Sequence, residues 1–271
     1  MLNYRRFPDG ESYLRFATAL EGRAVVLVET LNAPDEKTLS LLFAARTARE
    51  LGATSVGLVA PYLAYMRQDK RFQTGEAITS VHYAALLSQT FDWLACVDPH
   101  LHRYSSLADI YSIPALAVDA APLLSTWVKA QVSHPLIVGP DAESEQWAAA
   151  LAAAIGAPHV VLEKIRHGDR EVVLSLPNME KWRGRTPVLV DDIISSGRTM
   201  ISAAGKLRQT GFPPPYCLGI HGLFAEDAYS MLQGAGVAGI VTTNTVPHVS
   251  NAIDVSTLLA GAASALVSAF L

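Results

Sequence analysis

The stretch Val188-Leu189-Val190-Asp191-Asp192-Ile193-Ile194-Ser195-Ser196-Gly197-Arg198-Thr199 decides how this chain is read. Its apolar residues, β-branched mixed with Leu, predict a buried strand over Pro187–Val190, with two adjacent carboxylates at its C-terminal end. A short Ser/Gly turn follows, and Thr199 opens an Ala-rich helical pattern that runs through Gln209. In an open α/β sheet, ligands bind at the carboxyl ends of the strands. A small-residue turn at a helix N-terminus offers free backbone N–H groups and the positive end of the helix dipole, which suits a phosphate. Carboxylates beside that phosphate would repel it, so Asp191 and Asp192 need another partner, either sugar hydroxyls or a cation. The stretch therefore reads as a sugar-phosphate site. Ser195, Ser196, Gly197, Arg198 and Thr199 surround the phosphate, and Asp191 and Asp192 take the diol.

Outward from this run the pattern alternates. Strands are expected at Ala24–Glu29, Ser55–Ala60 and Trp93–Val97, with helices at Asp35–Leu51 and Thr79–Gln89. A second series follows: strand Pro135–Val138, helix Glu143–Ile155 stopped by Gly156, and strands His159–Leu162 and Glu171–Leu174. Beyond the opening run come strand Tyr216–Gly222, helix Ala225–Gln233 and strand Gly239–Thr242. Alternating strands and helices imply βαβ units and parallel sheets. Two such series predict two α/β domains, 1–117 and 118–254, with the boundary near Ala115–Asp119. The apolar tail Val255–Leu271 is slightly short for a membrane span and is expected as a helix buried against the first domain.

Composition narrows the function classes. Half of the 271 residues are hydrophobic and 17% are charged, enough to bury a large core. A net charge of −4 argues against a general nucleic-acid surface. The start Met1-Leu2-Asn3-Tyr4-Arg5-Arg6 has no apolar segment of a signal peptide, and no membrane association is expected. Cys96 and Cys217, the only cysteines, sit in apolar strand contexts and are expected as buried thiols in a reducing cytoplasm.

Further chemistry-bearing residues follow predicted strands. There is no Walker A motif and no Gly-x-Gly-x-x-Gly, so a nucleotide must be held by other means. The segment Arg67-Gln68-Asp69-Lys70-Arg71-Phe72 puts cations, an amide and an aromatic ring beyond one strand, suited to phosphate contact. His100 in Asp98-Pro99-His100 ends another strand and suits a metal or a phosphate oxygen. Asp141 ends the equivalent strand of the second series and suits a hydrated magnesium ion. Lys164 and Arg166 alternate, so on extended backbone they share one side. They suit a transferring phosphoryl group, or form a charged hairpin and nothing more. Near the start, Phe7-Pro8-Asp9-Gly10-Glu11 places a Pro-Asp-Gly turn between two short extended runs, which reads as a protruding hairpin.

The opening run resembles the signature shared by phosphoribosyltransferases and ribose-phosphate pyrophosphokinases, and alone does not choose between them. The order of Phe7–Glu11, Arg67–Phe72, Asp98-Pro99-His100, Lys164-x-Arg166, Asp191–Thr199 and Thr243-Asn244-Thr245-Val246-Pro247 resembles the ribose-phosphate pyrophosphokinases over essentially the whole chain. That resemblance implies two stacked phosphoribosyltransferase-like domains, the first lacking the strand and helix that usually precede the Phe7 motif. It implies transfer of the diphosphoryl group of ATP to the 1-hydroxyl of ribose 5-phosphate, with Mg2+. Phe7, Asp9 and Glu11 would reach the ATP site of a neighbouring subunit in a homodimer or larger assembly. Arg67 and Gln68 would hold ATP, and His100 and Asp141 the metal or its water shell. Lys164 and Arg166 would be catalytic, with Arg166 also at the ribose 5-phosphate site alongside Asp191, Asp192 and the Ser195–Thr199 turn. Two local departures stand out: the turn carries Arg198 in place of a second glycine, and Asp141 is followed by Ala-Glu-Ser in place of a Gly pair.

Overall fold

Ser55–Ala60 and Trp93–Val97 carry no polar alternation, and both are buried at every position. Strands of that kind occupy the middle of parallel sheets whose two faces are covered. The computed structural model describes residues 2–167, 171–175 and 179–270. The chain divides into two units, Met1–Val118 with Ser256–Leu271, and Asp119–Val255.

The first unit opens with an antiparallel hairpin of β1 (Leu2–Arg6) and β2 (Ser12–Phe16). It continues through β3 (Ala24–Val28), α1 (Pro34–Glu50), β4 (Ser55–Ala60), α2 (Thr79–Ser88), β5 (Trp93–Val97) and β6 (Ala115–Val118). These four later strands form one parallel sheet in the order β3-β4-β5-β6. Pro34 in the first turn of α1, followed by Asp35 and Glu36, matches the orphan N–H groups and dipole of a helix start. Gly57 in β4 faces Trp93 in β5 so closely that a Cβ would lie 1.9 Å from the indole. Only glycine lets this fully buried ring lie flat on the neighbouring strand.

The second unit contains α3 (Ala121–Gln131), β7 (Pro135–Gly139), α4 (Glu145–Ile155), β8 (His159–Val161), β9 (Glu163–His167), β10 (Glu171–Ser175), β11 (Thr186–Ile194), α5 (Arg198–Gln209), β12 (Tyr216–Gly222), α6 (Ala228–Gly234), β13 (Gly239–Thr243) and β14 (Asn251–Ile253). Its parallel sheet has the order β14-β13-β12-β11-β7-β8. The strands β9 and β10 form a separate antiparallel hairpin. Leu189, Ile194, Met200, Ala203, Ala204 and Leu207 build the core between β11 and α5, joined by Leu136, Val138 and Phe224. The last helix, α7 (Ser256–Ser268), packs on β4, β5 and β6 of the first unit through its buried Leu259 and Ala262.

Several expected bounds shift. The strand expected over Pro187–Val190 runs on to Ile194, so Asp191 and Asp192 lie inside it and not at its last residue. Pairing with β12 carries it that far, with Ile193 opposite His221 and Ile194 opposite Gly222. The helix expected from Glu143 begins at Glu145 after a 3-10 turn over Ala142–Ser144. The helix expected from Ala225 begins at Ala228. Ala115–Val118, where no strand was expected, forms the edge strand β6, and α3 fills a further stretch in which no element was expected. Leu124 and Val128 of α3 are buried one helical turn apart, so the signal was present but short.

Candidate functional site

In the second unit the site gathers where β7 and β11 end. Asp192 is buried, 4% exposed, and Asp191 is half-buried. The Asp191 carboxyl is pushed up to about 8, first by burial and then by the charges of Asp192 and Asp141. Three carboxylates thus act on one another from two neighbouring strand ends, and the pocket favours a ligand that supplies protons or positive charge. Asp141 is partly committed elsewhere: its Oδ1 accepts the Ser144 N–H at 3.3 Å, capping the 3-10 turn.

Directly beyond lies the Ser195–Gly197 turn. Gly197 is at φ 68°, the left-handed region where glycine carries no Cβ penalty, and it immediately precedes α5. Among the described residues no side chain caps that helix start. The first intrahelical bond runs from the Ile201 N–H to the Gly197 carbonyl at 2.8 Å, so the N–H groups of Arg198, Thr199 and Met200 have no carbonyl behind them. The turn is held from below. The Ile194 carbonyl accepts the N–H groups of Leu223 and Phe224, each at 3.0 Å, and the Ser195 carbonyl accepts that of Ala225 at 3.1 Å. Phe224 and Glu226 adopt positive φ there, and the Phe224 ring stacks against His248, with centroids 4.3 Å apart. This strap was not anticipated; the non-glycine φ values that shape it leave no trace in sequence periodicity.

A buried polar network underlies the ends of β12 and β13. Thr243 Oγ1 donates to the Ile220 carbonyl at 2.7 Å, and Thr245 Oγ1 lies 2.9 Å from His221 Nδ1. Asn244 Nδ2 donates to Asp254 at 2.7 Å. The Thr243–Pro247 motif is thus tied into the sheet end. Lys164 and Arg166 occupy alternate positions of β9, opposite Leu174 and Val172. Their side chains lie outside the described residues.

The first unit holds the other candidates. Arg67 is exposed and Gln68 half-buried on the loop after β4, and His100 follows β5. Adjacent parallel strands bring these two loops side by side. Phe7, Asp9 and Glu11 lie at the hairpin tip, where Gly10 takes φ 95° and the Glu11 N–H donates to Asp9 Oδ1 at 3.2 Å. Arg5 lies over both the Phe7 and Tyr13 rings, at 4.5 and 4.3 Å. The hairpin rests on its own unit: Arg6 donates to the Glu36 carbonyl of α1 at 3.0 Å. With the start of α1 its tip borders a cleft of about 640 Å³ lined by Asp9, Glu11, Asp35 and Glu36. Among the described residues no hydrogen bond or ion pair joins Phe7, Asp9 or Glu11 to Arg67 or Gln68.

Residues 1–90 match the family model described as the N-terminal domain of ribose phosphate pyrophosphokinase, and residues 106–247 match the phosphoribosyl transferase domain. The ribose-phosphate pyrophosphokinase of Sulfolobus acidocaldarius is 33% identical over 259 residues, covering 94% of this chain and 87% of that protein. The chain belongs to the ribose-phosphate pyrophosphokinase family. The pyrophosphokinase of Methanopyrus kandleri is 35% identical over 254 residues, covering 93% of this chain and 86% of that one. The crystal structure of phosphoribosylpyrophosphate synthetase from Mycobacterium smegmatis superposes with a TM-score of 0.87, covering 99% of this chain and 90% of that chain at 23% identity. At that identity the match establishes the shared two-domain α/β fold.

In this pyrophosphokinase family member, the second unit brings Asp141, Asp191, Asp192 and the open start of α5 together. No group of three or more His, Cys, Asp or Glu side chains among the described residues is arranged to hold a metal by itself. A hydrated Mg2+ needs no such cage, because one or two carboxylates plus ligand phosphates suffice. The mutual repulsion of Asp141, Asp191 and Asp192 fits a cation there. Cys96 and Cys217 are free, buried and in separate units, and burial pushes both thiols up. Among the described residues no helix is long and apolar enough to cross a membrane.

Proposed function

We propose that this protein transfers the diphosphoryl group of ATP to the 1-hydroxyl of ribose 5-phosphate, giving phosphoribosyl pyrophosphate and AMP. One observation carries the reading: crowded carboxylates stand next to an uncapped helix N-terminus, in a chain that matches the N-terminal domain of ribose phosphate pyrophosphokinase over residues 1–90 and the phosphoribosyl transferase domain over residues 106–247. The N–H groups at the start of α5 and the Ser195, Ser196 and Thr199 hydroxyls hold the 5-phosphate, with Arg198 adding charge at the rim. Asp191 and Asp192 accept hydrogen bonds from the ring hydroxyls, which leaves the anomeric hydroxyl free to attack the β-phosphorus of ATP. The bond to the α-phosphate oxygen breaks, AMP departs, and the hydroxyl proton leaves to solvent or a nearby base.

ATP lies along Arg67 and Gln68. Phe7 offers a face for the adenine ring, and Asp9 and Glu11 accept from nucleoside donors, since carboxylates there would repel the polyphosphate. As in the family resemblance, the reading has the tip complete the ATP site of a second copy in a homodimer or larger assembly. Lys164 and Arg166 meet the charge that develops on the moving phosphoryl oxygens, and catalysis is chiefly positioning and electrostatics. His100 in the first unit and Asp141 in the second would each contact Mg2+ or its water shell, and the ion would neutralise charge on the polyphosphate. Two reduced, buried thiols support a cytoplasmic setting.

The test is direct: protein, ATP, Mg2+ and ribose 5-phosphate are mixed, and AMP and phosphoribosyl pyrophosphate are quantified. Equal amounts of both are expected. AMP without ribose 5-phosphate, or no AMP from folded protein, would overturn the reading.

A further inference from the structure

The carboxylate of Asp69 is 1% exposed and sits one residue beyond Gln68. Its partner comes from the loop after the next strand: Arg103 Nη1 donates to both Asp69 oxygens at 2.9 Å. Arg103 is itself three residues beyond His100. A buried charge with one ionic partner resists separation from it, because the alternative is a desolvated carboxylate with nothing to balance it.

Backbone bonds run the same way. The Ser80 N–H, at the start of α2, donates to the Gln68 carbonyl at 3.3 Å. Tyr104 OH donates to the Asp69 carbonyl at 3.3 Å and lies 3.0 Å from Ser80 Oγ. The loop is fixed on both sides of this point. Before it, Tyr65 at φ 61° hydrogen-bonds Asp35 and packs on the Tyr83 ring at 4.6 Å. After it, Glu76 Oε2 accepts the Phe72 and Gln73 N–H groups at 2.7 and 3.1 Å. Between these anchors the Arg67 side chain stays exposed, with no ion pair among the described residues.

A loop outside any helix or strand has no ladder to set its height above the sheet. We propose that the Asp69–Arg103 pair sets it, holding Arg67 and Gln68 in register with the His100 loop, and that Arg103 is a positioning residue for ATP. Arg103 acts through Asp69 and does not touch the nucleotide. Nothing in the pattern of the sequence pairs these residues, which lie 34 positions apart.

The inference rests on the reading that Arg67 and Gln68 bind ATP, so Arg67→Ala is measured alongside. Steady-state kinetics are run on the full chain for Arg103→Gln, Arg103→Lys and the double variant Asp69→Asn/Arg103→Gln. Arg103→Gln is expected to raise the KM for ATP at least tenfold and change that for ribose 5-phosphate less than twofold. Arg103→Lys should recover part of the loss. The double variant, which has no unpaired buried charge, should bind ATP better than Arg103→Gln alone. A merely structural arginine would lower the folded fraction, and with it apparent turnover, while leaving both KM values alone; that result overturns the proposal. If Arg67→Ala raises the KM for ATP and Arg103→Gln does not, the pair does no positioning. If Arg67→Ala leaves that KM unchanged, the ATP assignment of the loop falls and takes the proposal with it. Should Arg103→Gln fail to fold, the double and Arg103→Lys variants carry the same comparison. In that case parent-like KM values for ATP in both count against the pair.

Discussion

The two units offer ligands the same kind of place, the carboxyl ends of a parallel sheet, but build it in opposite ways. In the second unit, nine consecutive residues from Asp191 to Thr199 supply carboxylates, turn and helix start. In the first, the candidates come from three distant places: the hairpin tip, the loop after β4 and the loop after β5. A contiguous site is held by its own backbone geometry, with Gly197 at positive φ and the Leu223–Ala225 strap beneath it. A dispersed site depends on side-chain pairs such as Asp69–Arg103 and on whatever the hairpin meets. The lesson is that damage should stay local in the second unit and spread between segments in the first.

The harshest way to break this contrast is at the β9 hairpin of the second unit. Lys164→Ala and Arg166→Ala should each lower turnover by roughly 10²–10³-fold with little change in either KM, as for a group acting on charge that develops in the transition state. Single-turnover measurements distinguish this from slow product release. A loss confined to the KM for ATP would make both residues ordinary phosphate contacts.

Next comes the locality of the second site. Asp191→Ala and Asp192→Ala should raise the KM for ribose 5-phosphate about 10–100-fold, since each removes a buried hydrogen-bonding carboxyl group worth roughly 1–3 kcal/mol. The KM for ATP should stay nearly unchanged. Equal effects on both substrates would erase the contrast drawn above.

The dispersed site allows a complementation experiment. An inactive Asp9→Ala/Glu11→Ala variant mixed with an inactive Arg67→Ala variant, under verified subunit exchange, should regain a minority of parental activity. Mixed dimers would contain one site with all its parts intact. Full activity in a confirmed monomer would instead place the hairpin at its own subunit's site.

The smallest effect is on stability. The folded state holds the Asp191 proton up to about 8, well above its ordinary value, so between roughly pH 4 and pH 8 the native state binds more protons than the unfolded chain. Ligand-free stability should therefore fall as pH rises through that window. Asp191→Asn should flatten this slope and melt higher at pH 8, by about 2–4 °C for each kcal/mol relieved. Parallel melting curves for parent and variant, taken across that range, decide the matter.

How legible the molecule was follows the same division. Ser55–Ala60, Trp93–Val97 and Tyr216–Gly222 were placed at their observed bounds, because unbroken apolar runs between turn residues are signals carried by neighbours in the chain. The Asp191–Thr199 run disclosed its strand, turn and helix for the same reason, although the strand runs on four residues past Val190, since pairing with β12 and not propensity sets its end. The short helix α3 and edge strand β6 escaped notice, having too few buried positions to establish a period.

The sequence by itself determined the alternation of strands and helices, the phosphate-type turn and the inventory of charged groups beyond the strands. Each is encoded within a dozen neighbouring residues, where backbone preference and side-chain period act directly. Tertiary structure alone decided that Asp141 repels Asp191, that Arg103 neutralises Asp69, that Phe224 straps the turn and that the hairpin lies on α1. Those contacts depend on strand order and on which loops rise from adjacent strand ends. A charge or a positive φ acquires its meaning from neighbours that the chain brings in from far away.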